Sequence, residues 1–158
     1  MRSIATTLAL LAVAAAAHAG GTVNVTFVEP DKFYDSGTSQ FDKPANLKVI
    51  EQFLQDLGKR YLPDGQVLDI EVLNVDLAGY VRPTRQGDLR FVRDKADWPS
   101  FQLRYALSSG GQSLKRGEER VADLNYTGHI ASYGTRDPLR YEKQMLDGWF
   151  RERFTAPQ

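Results

Sequence analysis

Four arginines lie close together in YVRPTRQGDLRFVRDKADWP: Arg82, Arg85, Arg90 and Arg93, with Tyr80 before them and Trp98 after. A guanidinium is a planar fork of donors that stays charged, so the cluster suits a phosphate, a carboxylate or an acidic partner surface. The same stretch carries Asp88, Asp94 and Asp97. Those acids could pair with the arginines at the surface and leave no site, because exposed ion pairs contribute little.

Other chemistry is thinner. His129 is the one histidine beyond the first nineteen residues. It could serve a small hydrolase as a base, with Asp123 or Asp137 as its carboxylate, or be an ordinary loop histidine. With no cysteine and no second histidine near it, a usual transition-metal site cannot be assembled. Glu29, Asp31, Asp35 and Asp42 share one loop, and oxygen-rich loops can hold calcium. Their spacing does not fit the helix-loop-helix calcium pattern, and helix capping and loop solvation account for them better than a cation does. Asp69, Glu71, Asn74 and Asp76 alternate with apolar residues. Paired carboxylates could do acid and base work, but the wet face of a one-sided sheet requires the same residues. Neither a nucleophile elbow nor a glycine-rich phosphate loop is present, and Ser100, Ser108, Ser109 and Ser132 lack evident His and Asp company. No catalytic residue, metal or cofactor is assigned, and the reading leans away from an enzyme.

The elements that must position these residues follow from periodicity. In VLDIEVLNVDLAGYV, Leu68, Ile70 and Val72 alternate with Asp69 and Glu71, and Leu73, Val75 and Leu77 then alternate with Asn74 and Asp76. The phase slips at Val72-Leu73, which predicts a β-bulge that keeps one face apolar. TVNVTFV, Thr22 to Val28, reads as a first strand, and the segment from Glu29 to Pro44 as a long loop. Leu47, Ile50, Phe53, Leu54, Leu57 and Tyr61 form a helical stripe, with Asp42 a candidate cap, and Pro63-Asp64-Gly65 ends the helix. Tyr80 to Trp98 reads as a largely irregular loop, with a short strand around Leu89 and Phe91. Phe101 to Leu107 and the charged Gln112 to Val121 form a hairpin about Ser109-Gly110-Gly111. The charged member belongs at a sheet edge, where it either discourages pairing or serves self-association. Asp137-Pro138 opens a second helix with a wide aromatic stripe, Tyr141, Met145, Leu146, Trp149, Phe150 and Phe154. The predicted fold is α+β: a two-layer sandwich, with an antiparallel sheet of four or five strands covered on one face by two helices.

The ends and the charge bound the setting. Arg2, an apolar run from Ile4 to Ala17 and the triplet Ala17-His18-Ala19 form a secretory signal peptide, with cleavage expected after Ala19. Residues 20–158 then form a single α+β domain that stands without disulfides. Lys plus Arg and Asp plus Glu balance to zero formal charge, which argues against a nucleic-acid partner. No membrane span is expected after cleavage.

VDLAGYVRP, the GDLRFVRD that follows, the tail YEKQMLDGWFRERF and the opening VNVTFVEPDKFYD together resemble an exported bacterial family known only as domain of unknown function three thousand and sixteen. The resemblance covers nearly all of the chain after the leader. It implies a periplasmic, Gram-negative cell-envelope protein, and it carries no catalytic residues to transfer. The combined expectation is a non-enzymatic periplasmic module that engages an anionic ligand or an envelope protein through Tyr80, Arg82, Arg85, Arg90, Arg93 and Trp98.

Overall fold

The computed structural model describes residues 20–93, 95–128 and 133–155. The leader, Asp94 and His129 lie outside the described residues. Six strands and two α-helices follow in the order β1 (Thr22–Phe27), α1 (Asp42–Tyr61), β2 (Gln66–Asp76), β3 (Tyr80–Thr84), β4 (Gly87–Phe91), β5 (Ser100–Ser109), β6 (Gln112–Ala122) and α2 (Arg140–Phe154). The fold is α+β, with a four-stranded sheet ordered β1-β2-β5-β6 and a separate two-stranded sheet, β3-β4.

Two features of the sheet differ from the sequence expectation. β1 runs parallel to β2, so the larger sheet is mixed and not wholly antiparallel. The reason is connectivity: the chain leaves β1, crosses through the long α1 and re-enters at the same end, as parallel neighbours require. Tyr80 to Phe91 is also not an irregular loop but a hairpin of its own, turning at Arg85-Gln86 with Thr84 opposite Gly87.

β2 is central, between β1 and β5, and its register with β5 slips between Val72 and Asn74. Leu73 is the extra residue. The bulge keeps Leu68, Ile70, Val72 and then Val75 on the buried face, each 1% exposed or less. Without it, Val75 and Leu77 would turn to water. Leu54 and Leu57 of α1, Leu146 and Phe150 of α2 and Phe101 and Leu103 of β5 complete the core. Each such side chain contributes roughly 1.5–3 kcal/mol when fully buried. Arg104 bonds Glu71 at 2.7 Å and Glu118 at 3.0 Å, a solvent-exposed charge row across β2, β5 and β6.

Both helices start on side-chain acceptors. Ahead of α1, Ser39 Oγ accepts the amides of Phe41 and Asp42 at 3.2 and 3.1 Å, while Asp42 accepts from Thr38 and is not the cap, and Asp137 Oδ1 accepts the Leu139 amide at 2.9 Å ahead of α2. The Glu29 to Pro44 segment begins with a 3-10 turn at Pro30–Lys32 and then straps the end of β2. The Asp35 amide donates to the Val75 carbonyl at 2.9 Å, and the Leu77 amide donates to the Asp35 carbonyl at 3.1 Å.

Candidate functional site

The site is built where β2 hands over to the β3-β4 hairpin. Gly79 makes that handover in the left-handed region, with φ +82°, and a Cβ there would sit 2.3 Å from the Phe91 carbonyl oxygen. Only glycine allows the base of the hairpin to close this tightly. Tyr126, almost fully buried, donates its hydroxyl to the carbonyls of Arg93 or Ala96, at 2.6 and 2.9 Å, and so ties down the segment leaving the hairpin.

The pleat distributes the arginines. Tyr80 lies opposite Phe91 and Arg82 opposite Leu89, whereas Arg90 lies opposite Val81 on the other face. On the first face the Tyr80 and Phe91 rings stack at 5.8 Å. The guanidiniums of Arg82 and Arg93 lie 5.0 and 4.6 Å from the Tyr80 centroid, within cation-π range. Leu89 and Phe91 leave 46% and 40% of their surface exposed beside them. Arg93 is also held by Asp97, which raises its pKa through that hydrogen bond. Arg82 and Arg85 are exposed and form no ion pair among the described residues.

Arg90 turns inward. It grips Asp35 through two bonds of 2.8 and 3.1 Å and donates to the Ala78 carbonyl at 3.2 Å. The Ala78 amide donates in turn to Glu142 Oε1 at 2.7 Å. Glu142 is 2% exposed, and its second oxygen has no partner. Burial pushes its pKa up to about 7, opposed by the Ala78 amide and by Arg90. Ala78 therefore joins the hairpin and α2 through its carbonyl and its amide, and Arg90 ties in the strap through Asp35. Asp76 stands beside it, with its pKa raised by burial and by the neighbouring Asp35 charge. A cleft of about 530 Å³ opens between strap and hairpin, lined among others by Tyr34, Asp35, Asp76, Tyr80 and Asp97.

The six residues singled out in the sequence are thus partly gathered and partly dispersed. Tyr80, Arg82 and Arg93 meet on one outward face, Arg85 marks the hairpin tip, and Arg90 is spent on Asp35. The ring stacked on Tyr80 is Phe91, while Trp98 is half-buried in the approach to β5. Asp35, Ala78 and Glu142 carried no local signal, since their partners lie dozens of residues away. Of the other loop acids, Glu29 is paired with Lys32 and Asp42 accepts from Thr38. Among the described residues no group of three or more His, Cys, Asp or Glu side chains could hold a metal ion. Of the histidine hypothesis, Asp137 is ion-paired to Lys143 and caps α2, and His129 itself lies outside the described residues. No described helix is long and apolar enough to cross a membrane.

The family model described as Protein of unknown function (DUF3016) matches residues 21–152 of the chain. No curated protein matches the chain.

Proposed function

Since the chain belongs to the DUF3016 family, whose description assigns no activity, we propose from the site alone that it is a non-enzymatic binding module. It engages a carboxylate- or phosphate-bearing ligand or an acidic protein surface through the outward face of the β3-β4 hairpin. The observation that carries this reading is the bracketing of the Tyr80 ring by Arg82 and Arg93, beside exposed Phe91 and Leu89. Rings and guanidiniums anchor interfaces because they bury large rigid surfaces and donate directional hydrogen bonds. Arg82, Leu89 and Phe91 are exposed on this face, which favours an acidic macromolecular surface over a small enclosed anion. In this reading two covering helices and one sheet form a two-layer sandwich that acts as a rigid base for the hairpin. Export to the periplasm, directed by Arg2, the apolar run and Ala17-His18-Ala19, would place the module in the cell envelope.

The test is capture from an envelope extract, with a photo-crosslinking residue placed at Leu89. Arg82→Glu with Arg85→Glu should reduce specific crosslinks about tenfold or more, as loss of charge-assisted anchors does. Crosslinks of undiminished yield from that variant, with its fold intact by circular dichroism, would remove the hairpin from consideration.

A further inference from the structure

β6 is an edge strand, and its outer side pairs with nothing among the described residues. Its centre reads Lys115-Arg116-Gly117-Glu118-Glu119, two cations and two acids on either side of a glycine. Reversal of that pattern about Gly117 exchanges the signs. We propose that β6 pairs antiparallel with β6 of a second copy of the chain, about a two-fold axis at Gly117, joining the two four-stranded sheets into one. In that register Arg116 faces Glu118 of the partner subunit and Lys115 faces Glu119 of the partner subunit, each pair on one face of the sheet and each formed twice. A parallel, in-register pairing would set like charges together, so the pattern selects one orientation.

Three observations support this beyond the free edge. First, the charges of the strand are unevenly satisfied within one chain. Glu118 is held by Arg104 at 3.0 Å, Glu119 by Arg153 at 2.9 Å, and Lys115 donates to the Arg153 carbonyl at 2.8 Å. Arg116 is exposed and has no acidic partner among the described residues. Second, the row Glu71, Arg104, Glu118 crosses three strands with alternating sign and stops at the edge on an acid. Arg116 of the partner subunit is the next cation that row needs. Third, Gly117 presents no side chain at the axis, its place on the helix side being taken by the Tyr105 ring. Uniform charge on an edge strand deters pairing; the mixed, reversible pattern here deters partners of other sequence and admits a copy of itself.

Sedimentation of the purified protein over a concentration series tests the proposal. A reversible dimer is expected, weakened by added salt because the pairs are solvent-exposed. Arg116→Glu and Glu118→Arg, each alone, should raise the dimer dissociation constant about tenfold, by turning two attractions into repulsions. The double exchange, Arg116→Glu with Glu118→Arg, should restore most of the loss. Because the chain has no cysteine, Arg116→Cys protein mixed with Glu118→Cys protein should also give a disulfide-linked dimer in excess of either alone. Monomer throughout the series, a dimer indifferent to the single reversals, or an exchange no better than either single variant would each overturn it. The hairpin variant Arg82→Glu with Arg85→Glu should dimerise normally, which separates this interface from the proposed binding face.

Discussion

At the residue scale, the backbone of Ala78 is the point where distant parts of the chain meet, and Glu142 is its costliest partner. A carboxylic acid buried with one oxygen unpartnered is tolerated when protonated and penalised when ionised. Its ordinary pKa is 4.5 and its folded value about 7. Below the ordinary value both states are protonated and nothing is lost. Between 4.5 and about 7 the unfolded chain ionises first, so stability falls as pH rises, and above that window the loss is complete at roughly 3 kcal/mol. Glu142→Gln mimics the protonated acid and keeps an acceptor for the Ala78 amide. Denaturant titrations should therefore find it up to roughly 3 kcal/mol more stable than the parent at pH 8, nearly equal at pH 4, and with a flatter profile between. A variant with the parent's pH dependence would mean Glu142 is solvated. None of this was legible in the sequence, where Glu142 reads as one more charge in a helix; 64 residues separate it from Ala78.

At the scale of the element, the hairpin is positioned by its base and free at its tip. Gly79→Ala forces a Cβ into the Phe91 carbonyl and holds alanine at positive φ. The substitution should cost at least ~2 kcal/mol in unfolding measurements and, by moving the hairpin, reduce Leu89 crosslinks without altering any arginine. If stability and crosslinks both stay at parent levels, the handover is not rigid. The bulge at Leu73 was legible in advance because an apolar pattern that changes phase yet stays on one face leaves no other geometry. The hairpin was less so: Pro83, Gly87 and a run of arginines resemble loop composition, and the pairing that makes strands of them is not periodic over such short lengths.

At the scale of the whole molecule, α1 and α2 share one core with the mixed sheet and also hold one another. Tyr61 donates to Asp147 at 2.8 Å, and the Tyr61 and Phe150 rings lie 6.0 Å apart. Because both helices share the same core with β2 and β5, unfolding should be one transition, with far-ultraviolet circular dichroism and tryptophan fluorescence superimposing. Phe150→Ala removes a fully buried ring at that junction and should cost about 3–5 kcal/mol in the same experiment. Separate transitions for the two probes would show the helices to be independent of each other.

The positions of β1, β2, β5, β6 and both helices, the bulge, the β5-β6 hairpin and the edge character of β6 were determined by the sequence itself. They follow from repeats of two and of three to four residues, which covalent geometry imposes locally. Only the tertiary structure decided that β1 lies parallel to β2, that Arg90 turns inward to Asp35 while Arg82 and Arg93 bracket Tyr80, and that Glu142 is buried. Those outcomes depend on which surfaces meet after the chain has closed loops dozens of residues long, and no local pattern encodes which distant partner will be there.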